Sequence, residues 1–246
     1  MFYTKKILLL LAMLGVLWLF RDNDSNGIIE KSTLIPTLTP TIYKEKIVLP
    51  NTIEWSVPFT PQAPLGNWTD VREGNGCEEA SILMAYYWAI GEKINSEEAV
   101  KEIRNISDFS YKLLGHFHDI SNEDTLKLLK KYFKYNNAYL ENKLSVETIK
   151  SKLSEEKILI VAVNGDKLEN PNYQIPKPAN HKIVIVGFDD TTQEFITNDP
   201  GTSRGGGFRY KYYKLIEAIT DYPTGYRESF EEVILTMIVV EKKRFD

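Results

Sequence analysis

The sequence predicts an α+β fold in which a helical amino-terminal half packs on an antiparallel sheet formed by the carboxyl-terminal half. Apolar residues recur at helical spacing before residue 156, whereas short runs rich in Val and Ile follow from residue 158 onward. A short turn joins two of these runs, which indicates a hairpin and therefore antiparallel pairing. A single cysteine excludes an internal disulfide, so the fold must be stabilised by its core.

Four helices are predicted in the first part of the domain. A glycine-rich turn at residues 74–76 leads into apolar residues at helical spacing from Cys77 to about Ile90. Two further helices begin at capping residues followed by acidic side chains, and another has apolar residues on one face. Their expected ranges are 95–106, 121–134 and 145–156, and residues 107–120 are expected to be irregular.

Strands are predicted for the second part of the domain. Residues 158–163 have the pattern of a buried strand, and residues 181–188 form a second one that opens with a histidine. A turn at residues 189–192 reverses the chain into a third strand, 194–198, so that residues at the open end of the hairpin face each other. A strand, a short helix and a final strand are expected at residues 208–213, 214–219 and 233–240.

The amino terminus has the features of a targeting segment. Two lysines precede an unbroken apolar run of 14 residues, 7–20, which is shorter than the roughly 20 needed to span a bilayer upright. Residues 1–21 are predicted to be a signal peptide or signal-anchor, and the absence of a small-residue cleavage pattern favours the uncleaved anchor. Residues 22–52, with threonines and spaced prolines, are predicted to be a stalk. The domain, residues 53–246, is expected to be extracytoplasmic, either membrane-tethered or secreted.

Composition argues against nucleic acid as a partner. The 246 residues carry a formal net charge of −4, and no basic stripe is interleaved with aromatic residues. The glycines at residues 204–207 lack the lysine and hydroxyl residue of a phosphate-binding loop. No other pattern indicates a cofactor, and we expect none.

Cys77 is predicted to lie at the first turn of a largely buried helix. The unsatisfied N–H groups and the positive end of the helix dipole favour a thiolate there, which would make Cys77 a nucleophile. The alternative is a small buried hydrophobic residue, because free cysteines are among the most buried residue types. Glu78 and Glu79 disfavour the thiolate if both are ionised and close to it.

His181 and Asp199 extend this pattern to a catalytic group. His181 opens one strand of the hairpin and Asp199 follows the other, so both lie at its open end. An imidazole in such a group takes the thiol proton, while the carboxylate fixes its tautomer and supports the imidazolium. Gln62, in an extended proline-containing segment, is a candidate oxyanion donor together with the backbone N–H of Cys77. Without the other residues Gln62 would be an ordinary surface glutamine.

Four stretches containing these residues follow one another in order: residues 57–64 (VPFTPQAP), 76–81 (GCEEAS), 180–189 (NHKIVIVGFD) and 195–202 (FITNDPGT). At these stretches, and at Asn170–Tyr173, the chain resembles the C39-like cysteine peptidases, a branch of the papain-like fold. The resemblance implies a papain-like α+β domain that acts on peptide or protein substrates. It also implies roles for four residues: Cys77 as nucleophile, His181 as base, Asp199 as orienting carboxylate and Gln62 as oxyanion donor.

The resemblance leaves the substrate and the reaction open. The best-known family members are leader-peptide-cleaving domains joined to ATP-driven exporters, and this sequence predicts neither a membrane bundle nor a nucleotide-binding domain. Two alternatives to hydrolysis therefore remain. One is a non-catalytic peptide-binding module on the same fold. The other is transglutaminase-like acyl transfer, in which an amine replaces water.

Two loops carry further candidates. Residues 165–180 contain three prolines and no periodicity, so they are predicted to border the cleft, with Asn172 and Tyr173 on a rim that selects substrates. His116 and His118 form a His-x-His pair in the irregular segment. Because no third ligand stands nearby in the sequence, no metal site is predicted.

Overall fold

The computed structural model describes residues 50–225 and 234–243, all of which lie in the unit Ile47–Asp246. The predicted signal segment, residues 1–21, and nearly all of the predicted stalk, residues 22–52, lie outside the described residues. None of the helices described is both long and apolar enough to cross a membrane.

Helices and strands are mixed along the described chain, and the predicted α+β class is confirmed. The helices are α1 Val71–Gly74, α2 Cys77–Ile90, α3 Ser96–Leu114, α4 Asn122–Tyr132, α5 Val146–Ser154, α6 Gly165–Leu168 and α7 Tyr212–Ala218. The strands are β1 Thr52–Glu54, β2 Ala138–Glu141, β3 Lys157–Val163, β4 His181–Asp189, β5 Glu194–Asn198, β6 Phe208–Lys211 and β7 Met237–Glu241.

The described strands form one antiparallel sheet in the order β2-β7-β3-β4-β5-β6. The first half of β4 pairs with β3, so that His181 lies opposite Val163, and the end of β4 pairs with β1. The other edge of β4 pairs with β5, as the predicted hairpin requires. β4 is therefore enclosed by strands on both edges.

Helices cover both faces of this sheet. Ile160 and Val184 pack in one hydrophobic cluster with α2, α3 and α4, whereas Val161 and Ile185 pack in a second cluster with residues of α5 and α7. Successive residues of a strand point to opposite faces, so both sets of β3 and β4 side chains are buried. This explains why these strands occur in the sequence as unbroken apolar runs.

The third helix differs from its prediction. α3 continues to Leu114, well beyond the predicted end near Ile106, so the prediction of irregular structure directly after that point is wrong. The hydroxyl of Ser107 donates to the backbone oxygen of Ile103 at 3.0 Å, which satisfies this buried serine inside the helix. Gly115, with φ of 78°, ends the helix in the left-handed conformation.

Substitution of Gly187 tests the close contact between β1 and β4. A Cβ at this position would stand 2.2 Å from the backbone oxygen of Ile53 and 2.9 Å from the Cα of Glu54. Gly187→Ala is therefore expected to lower the free energy of unfolding by about 1–3 kcal/mol, because backbone must move to admit the methyl group. Chemical denaturation measures this. Thr191→Ala, in the exposed turn of the same hairpin, should stay within about 0.5 kcal/mol of wild type. Equal stability of Gly187→Ala and wild type would contradict the close contact.

Candidate active site

A tight turn between α1 and α2 places Cys77 at the start of the buried helix. The residue before it, Gly76, caps α2 without any side-chain hydrogen bond. A Cβ on Gly76 would stand 2.6 Å from the backbone oxygen of Arg72 and 3.1 Å from the side chain of Ile103. Glycine is the residue that fits this approach, and Cys77 follows it with only 7% of its surface exposed.

The sulfur of Cys77 is hydrogen-bonded to a neighbouring carboxylate. It donates to Oε2 of the buried Glu78 at 3.1 Å. Burial raises the pKa of the Cys77 thiol well above its ordinary range, and the negative charge of Glu78 raises it further. A hydrogen bond from the backbone N–H of Lys182 acts in the opposite direction and is the weaker effect. The thiolate-favouring effect expected of the helix start is therefore outweighed by burial first and by Glu78 second.

His181 and Asp199 are joined by a hydrogen bond. His181 is the first residue of β4 and Asp199 follows β5 directly, so the pairing of these strands brings the two side chains together. The distance from His181 Nε2 to Asp199 Oδ1 is 2.7 Å, and neither side chain is appreciably exposed. Because a carboxylate can only accept, Nε2 carries the hydrogen of this bond, and Nδ1 is left as the proton-accepting nitrogen of the ring.

Asp199 accepts four further hydrogen bonds. Their donors are the hydroxyl of Tyr173 at 2.6 Å, the hydroxyl of Tyr210 at 2.6 Å, the side-chain amide of Asn170 at 3.3 Å and the backbone N–H of Gly201 at 3.0 Å. Burial raises the pKa of the Asp199 carboxyl, but the charge of His181 and these hydrogen bonds outweigh it, so the pKa lies below its ordinary value. Asp199 is thereby held as a carboxylate.

Gln62, Cys77 and His181 line one cleft with a volume of about 400 Å³. The side-chain nitrogen of Gln62 donates to the backbone oxygen of Gly74 at 2.7 Å. The backbone N–H of Gln62 donates to the backbone oxygen of Pro200 at 2.9 Å. The bond to Gly74 uses one of the two side-chain amide hydrogens, so the second is available to a ligand. Asp199 supports the cleft through His181.

Of the segment predicted to be the substrate rim, some residues line the cleft and others do not. Gln174 and residues 176–180 line the cleft, whereas Asn172 is not among its lining residues. The ring of Tyr173 lines the cleft, but Tyr173 is buried and its hydroxyl donates to Asp199. In this structure Tyr173 therefore borders the cleft as predicted and also supports the carboxylate, while its selection of substrates stays a prediction.

The His116–His118 pair lies at and beside the cleft. His118 lines the cleft, and its Nδ1 lies 3.1 Å from Oδ2 of Asp119. His116 packs against the backbone at Gly225. Across residues 50–225 and 234–243, no group of three or more His, Cys, Asp or Glu side chains is arranged to hold a metal ion.

Two supports of Asp199 were missed in the sequence. Tyr210 belongs to β6, and no motif surrounds it, so only the pairing of β6 with β5 brings it to the site. Asn170 begins the Asn170–Tyr173 stretch that carries part of the family resemblance. That stretch could have indicated Asn170 as a site residue, but the prediction assigned a role in the substrate rim to Asn172 and Tyr173 only.

Comparison with known proteins places this geometry in context. A family model described as "Peptidase_C39 like family" matches residues 55–229. No curated protein matches the chain. Similar solved structures include a putative C39-like peptidase from Bacillus anthracis, with 14% identity, a TM-score of 0.46, and coverage of 79% of this chain and 100% of that one. Another is xylellain, a cysteine protease from Xylella fastidiosa, with 11% identity, a TM-score of 0.46, and coverage of 80% and 88%.

Tyr173→Phe distinguishes support of Asp199 from selection of substrate. The variant keeps the ring but removes a hydrogen bond to a buried carboxylate, so it should lower the free energy of unfolding by about 1–3 kcal/mol and leave the order of preferred peptides unchanged. Denaturation and a panel of peptide substrates measure the two effects. Asn172→Ala is the control and should unfold within about 0.5 kcal/mol of wild type. If Tyr173→Phe changes the order of preferred peptides and leaves the free energy of unfolding unchanged, Tyr173 selects substrate as predicted and does not mainly support Asp199.

Proposed function

This chain belongs to the Peptidase_C39 like family, and from that premise we propose that it hydrolyses peptide or amide bonds with a Cys77–His181–Asp199 triad. Membership of the family supports a cysteine-peptidase function. The observation that supports the triad is the shared cleft, where Cys77 and His181 both line the cavity and Asp199 lies 2.7 Å from His181 Nε2.

The first step is transfer of the thiol proton to His181. The Nε2 atom is engaged by Asp199, so Nδ1 takes the proton from the Cys77 sulfur. The imidazolium that forms is stabilised by the carboxylate, which remains ionised. The thiolate then attacks the substrate carbonyl carbon, and His181 returns the proton to the leaving amine. Water hydrolyses the resulting thioester and regenerates the thiol.

Two donors are assigned to the oxyanion of the tetrahedral intermediate. The backbone N–H of Cys77 belongs to the first turn of α2, where no helix carbonyl can accept it. The second donor is the side-chain amide of Gln62, which its bond to Gly74 fixes beside the turn that leads to Cys77. Donors that are already oriented stabilise developing negative charge without reorganisation.

A non-catalytic peptide-binding module is the second candidate, favoured by one observation. The Cys77 thiol is bonded to Glu78, and no hydrogen bond joins it to His181 among the described residues. A binding module would retain the cleft and lose nothing when the sulfur is removed. Acyl transfer shares the thioester with hydrolysis, so product analysis with and without an added amine separates these two reactions.

Export is part of the same proposal, supported by the basic residues, apolar run and threonine- and proline-containing segment at the amino terminus. We expect the domain to be cut when whole cells or protoplasts are treated with a protease, because it would be exposed outside the membrane. A cytosolic protein of the same cells is the control. A chain that fractionates wholly with the cytosol and survives the treatment would refute export. Amino-terminal sequencing of the exported form separates an anchor from a cleaved signal.

Substitutions in the cleft should rank by role. Cys77→Ala should abolish turnover, His181→Ala should be nearly as severe, and Asp199→Asn should leave measurable activity because the carboxylate only orients and supports the imidazole. The double variant Cys77→Ala/His181→Ala should be no worse than either single one, since members of one catalytic unit are not additive. Single-turnover and steady-state assays with purified protein measure these effects.

Gln62→Ala should lower kcat by on the order of 10²- to 10³-fold if its amide donates to the oxyanion. Gln174→Ala is the matched control, because Gln174 also lines the cleft but is assigned no role. Full activity of Cys77→Ala would refute the triad, whereas no turnover by wild type together with equal peptide binding by wild type and Cys77→Ala would favour the binding module. Unfolding of every Cys77 variant, including Cys77→Ser, would mark Cys77 as a packing residue instead.

A further inference from the structure

A network of buried polar groups lies behind the Cys77 sulfur and is not used by the proposed triad. Glu78 is its centre and is fully buried. Besides the thiol on Oε2, it accepts the backbone N–H of Ile120 and the hydroxyl of Tyr222 on Oε1, each at 3.0 Å. Three donors converge on these two oxygens, which is the arrangement of an ionised carboxylate.

Lys182 supplies the positive charge of the network. It is fully buried, its Nζ donates to Oδ1 of Asn122 at 3.0 Å, and it lies 4.7 Å above the ring of Tyr222. Asn122 is tied in turn to Asp221, which accepts its backbone N–H at 3.1 Å. The carboxylate of Glu78 is therefore compensated and fixed by groups from several distant segments.

The charges around the sulfur come from α2, from β4 and from two loops. The titratable groups that face it, or face its immediate partners, are Glu78, Glu79, His181, Lys182, Asp119, Asp221 and Tyr222. Burial raises the pKa of Glu79 well above its ordinary range, which favours its neutral form, and burial lowers the pKa of Lys182. Glu78 is left as the charge that acts most strongly on the thiol.

Two acceptors therefore compete for one thiol hydrogen. In this structure the sulfur of Cys77 donates to Oε2 of Glu78 at 3.1 Å, while Nδ1 of His181 is the nitrogen that Asp199 does not engage. A thiolate formed beside the Glu78 carboxylate would be repelled by it, whereas a thiolate beside a His181 imidazolium would be attracted.

We propose that Glu78 is a positioning residue that holds Cys77 as a less reactive thiol, bonded away from His181. This inference rests on the proposed triad. Activation then requires rotation of the sulfur about the Cα–Cβ bond from Glu78 toward His181, which is a change between staggered rotamers. The thiol proton passes to His181 Nδ1 and not to Glu78, so the bond to Glu78 can form again once the proton has returned to the sulfur.

Alkylation tests this directly, because Cys77 is the only cysteine of the chain. Iodoacetamide alkylates the thiolate sulfur with loss of iodide, and intact mass reports the rate for one site. Glu78→Gln preserves the shape and an acceptor oxygen but removes the charge. We expect it to react about 3- to 10-fold faster than wild type near neutral pH, since more thiolate is present although each thiolate is less nucleophilic. The acid limb of its kcat/KM profile should also move to lower pH.

Glu79→Gln is the matched control. It makes the same change to the neighbouring buried carboxyl, which is not bonded to the sulfur and raises the pKa of the Cys77 thiol less than Glu78 does, so its alkylation rate should exceed that of wild type by less than the rate of Glu78→Gln does. Equal rates for Glu78→Gln and wild type, or equal acceleration in both variants, would overturn the proposal. If Glu78→Gln does not fold, the alkylation rate of wild type measured as a function of pH is the test. A Cys77 pKa at or below the value of about 8.5 for a free cysteine would refute the proposal.

Failure of this proposal is distinguishable from failure of the triad. Alkylation requires no turnover, so it reports the state of the Cys77 thiol even if the protein proves to be a binding module. Full hydrolysis by Cys77→Ala would refute the triad whatever the alkylation rates are.

Discussion

The hydrogen bond between His181 Nε2 and Asp199 Oδ1 sets the main constraint on this structure, because both groups are buried beside the cleft. A carboxylate without solvent is stable only when donors replace water. Here the donors come from the loop before β4, from β6 and from the turn after β5. Together these segments satisfy one charge, and the carboxylate that they hold orients the imidazole.

β4 serves two polar sites because its successive residues point to opposite faces. His181 bonds to Asp199, and the next residue, Lys182, enters the network around Glu78 on the face covered by α2. The sulfur of Cys77 lies between the two, with the Lys182 backbone N–H directed toward it. Two adjacent residues of β4 therefore act near the Cys77 thiol. His181 is the proposed base, and Lys182 compensates the carboxylate of Glu78, which competes for the thiol hydrogen.

The strand that carries His181 and Lys182, β4, is enclosed on all sides. Helices cover both faces of the sheet, and strands pair with both edges of β4. The backbone of β4 is therefore held in place by packing and by strand pairing. The cleft itself is formed by irregular segments, including residues 176–180. Binding and catalytic residues commonly lie on loops that are positioned by a rigid frame of this kind.

Much of this architecture could be predicted from the sequence, because it depends on local patterns. The helix from Cys77 to Ile90 and the hairpin of β4 and β5 were located by periodicity and turn residues, and the antiparallel α+β arrangement followed from them. The family followed from four short stretches in order. Short elements such as α1, α6 and β2 were not found, since three or four residues show too little periodicity to be recognised.

Only the tertiary structure decided which groups surround the catalytic candidates. Tyr210 reaches Asp199 through strand pairing, and Tyr222 reaches Glu78 across 144 positions of sequence. The sequence showed that Glu78 adjoins Cys77, but the direction of its carboxylate depends on donors that fold in from elsewhere. Periodicity records which face of an element is buried. The partners of a buried polar group depend on long-range packing, and no local pattern encodes them.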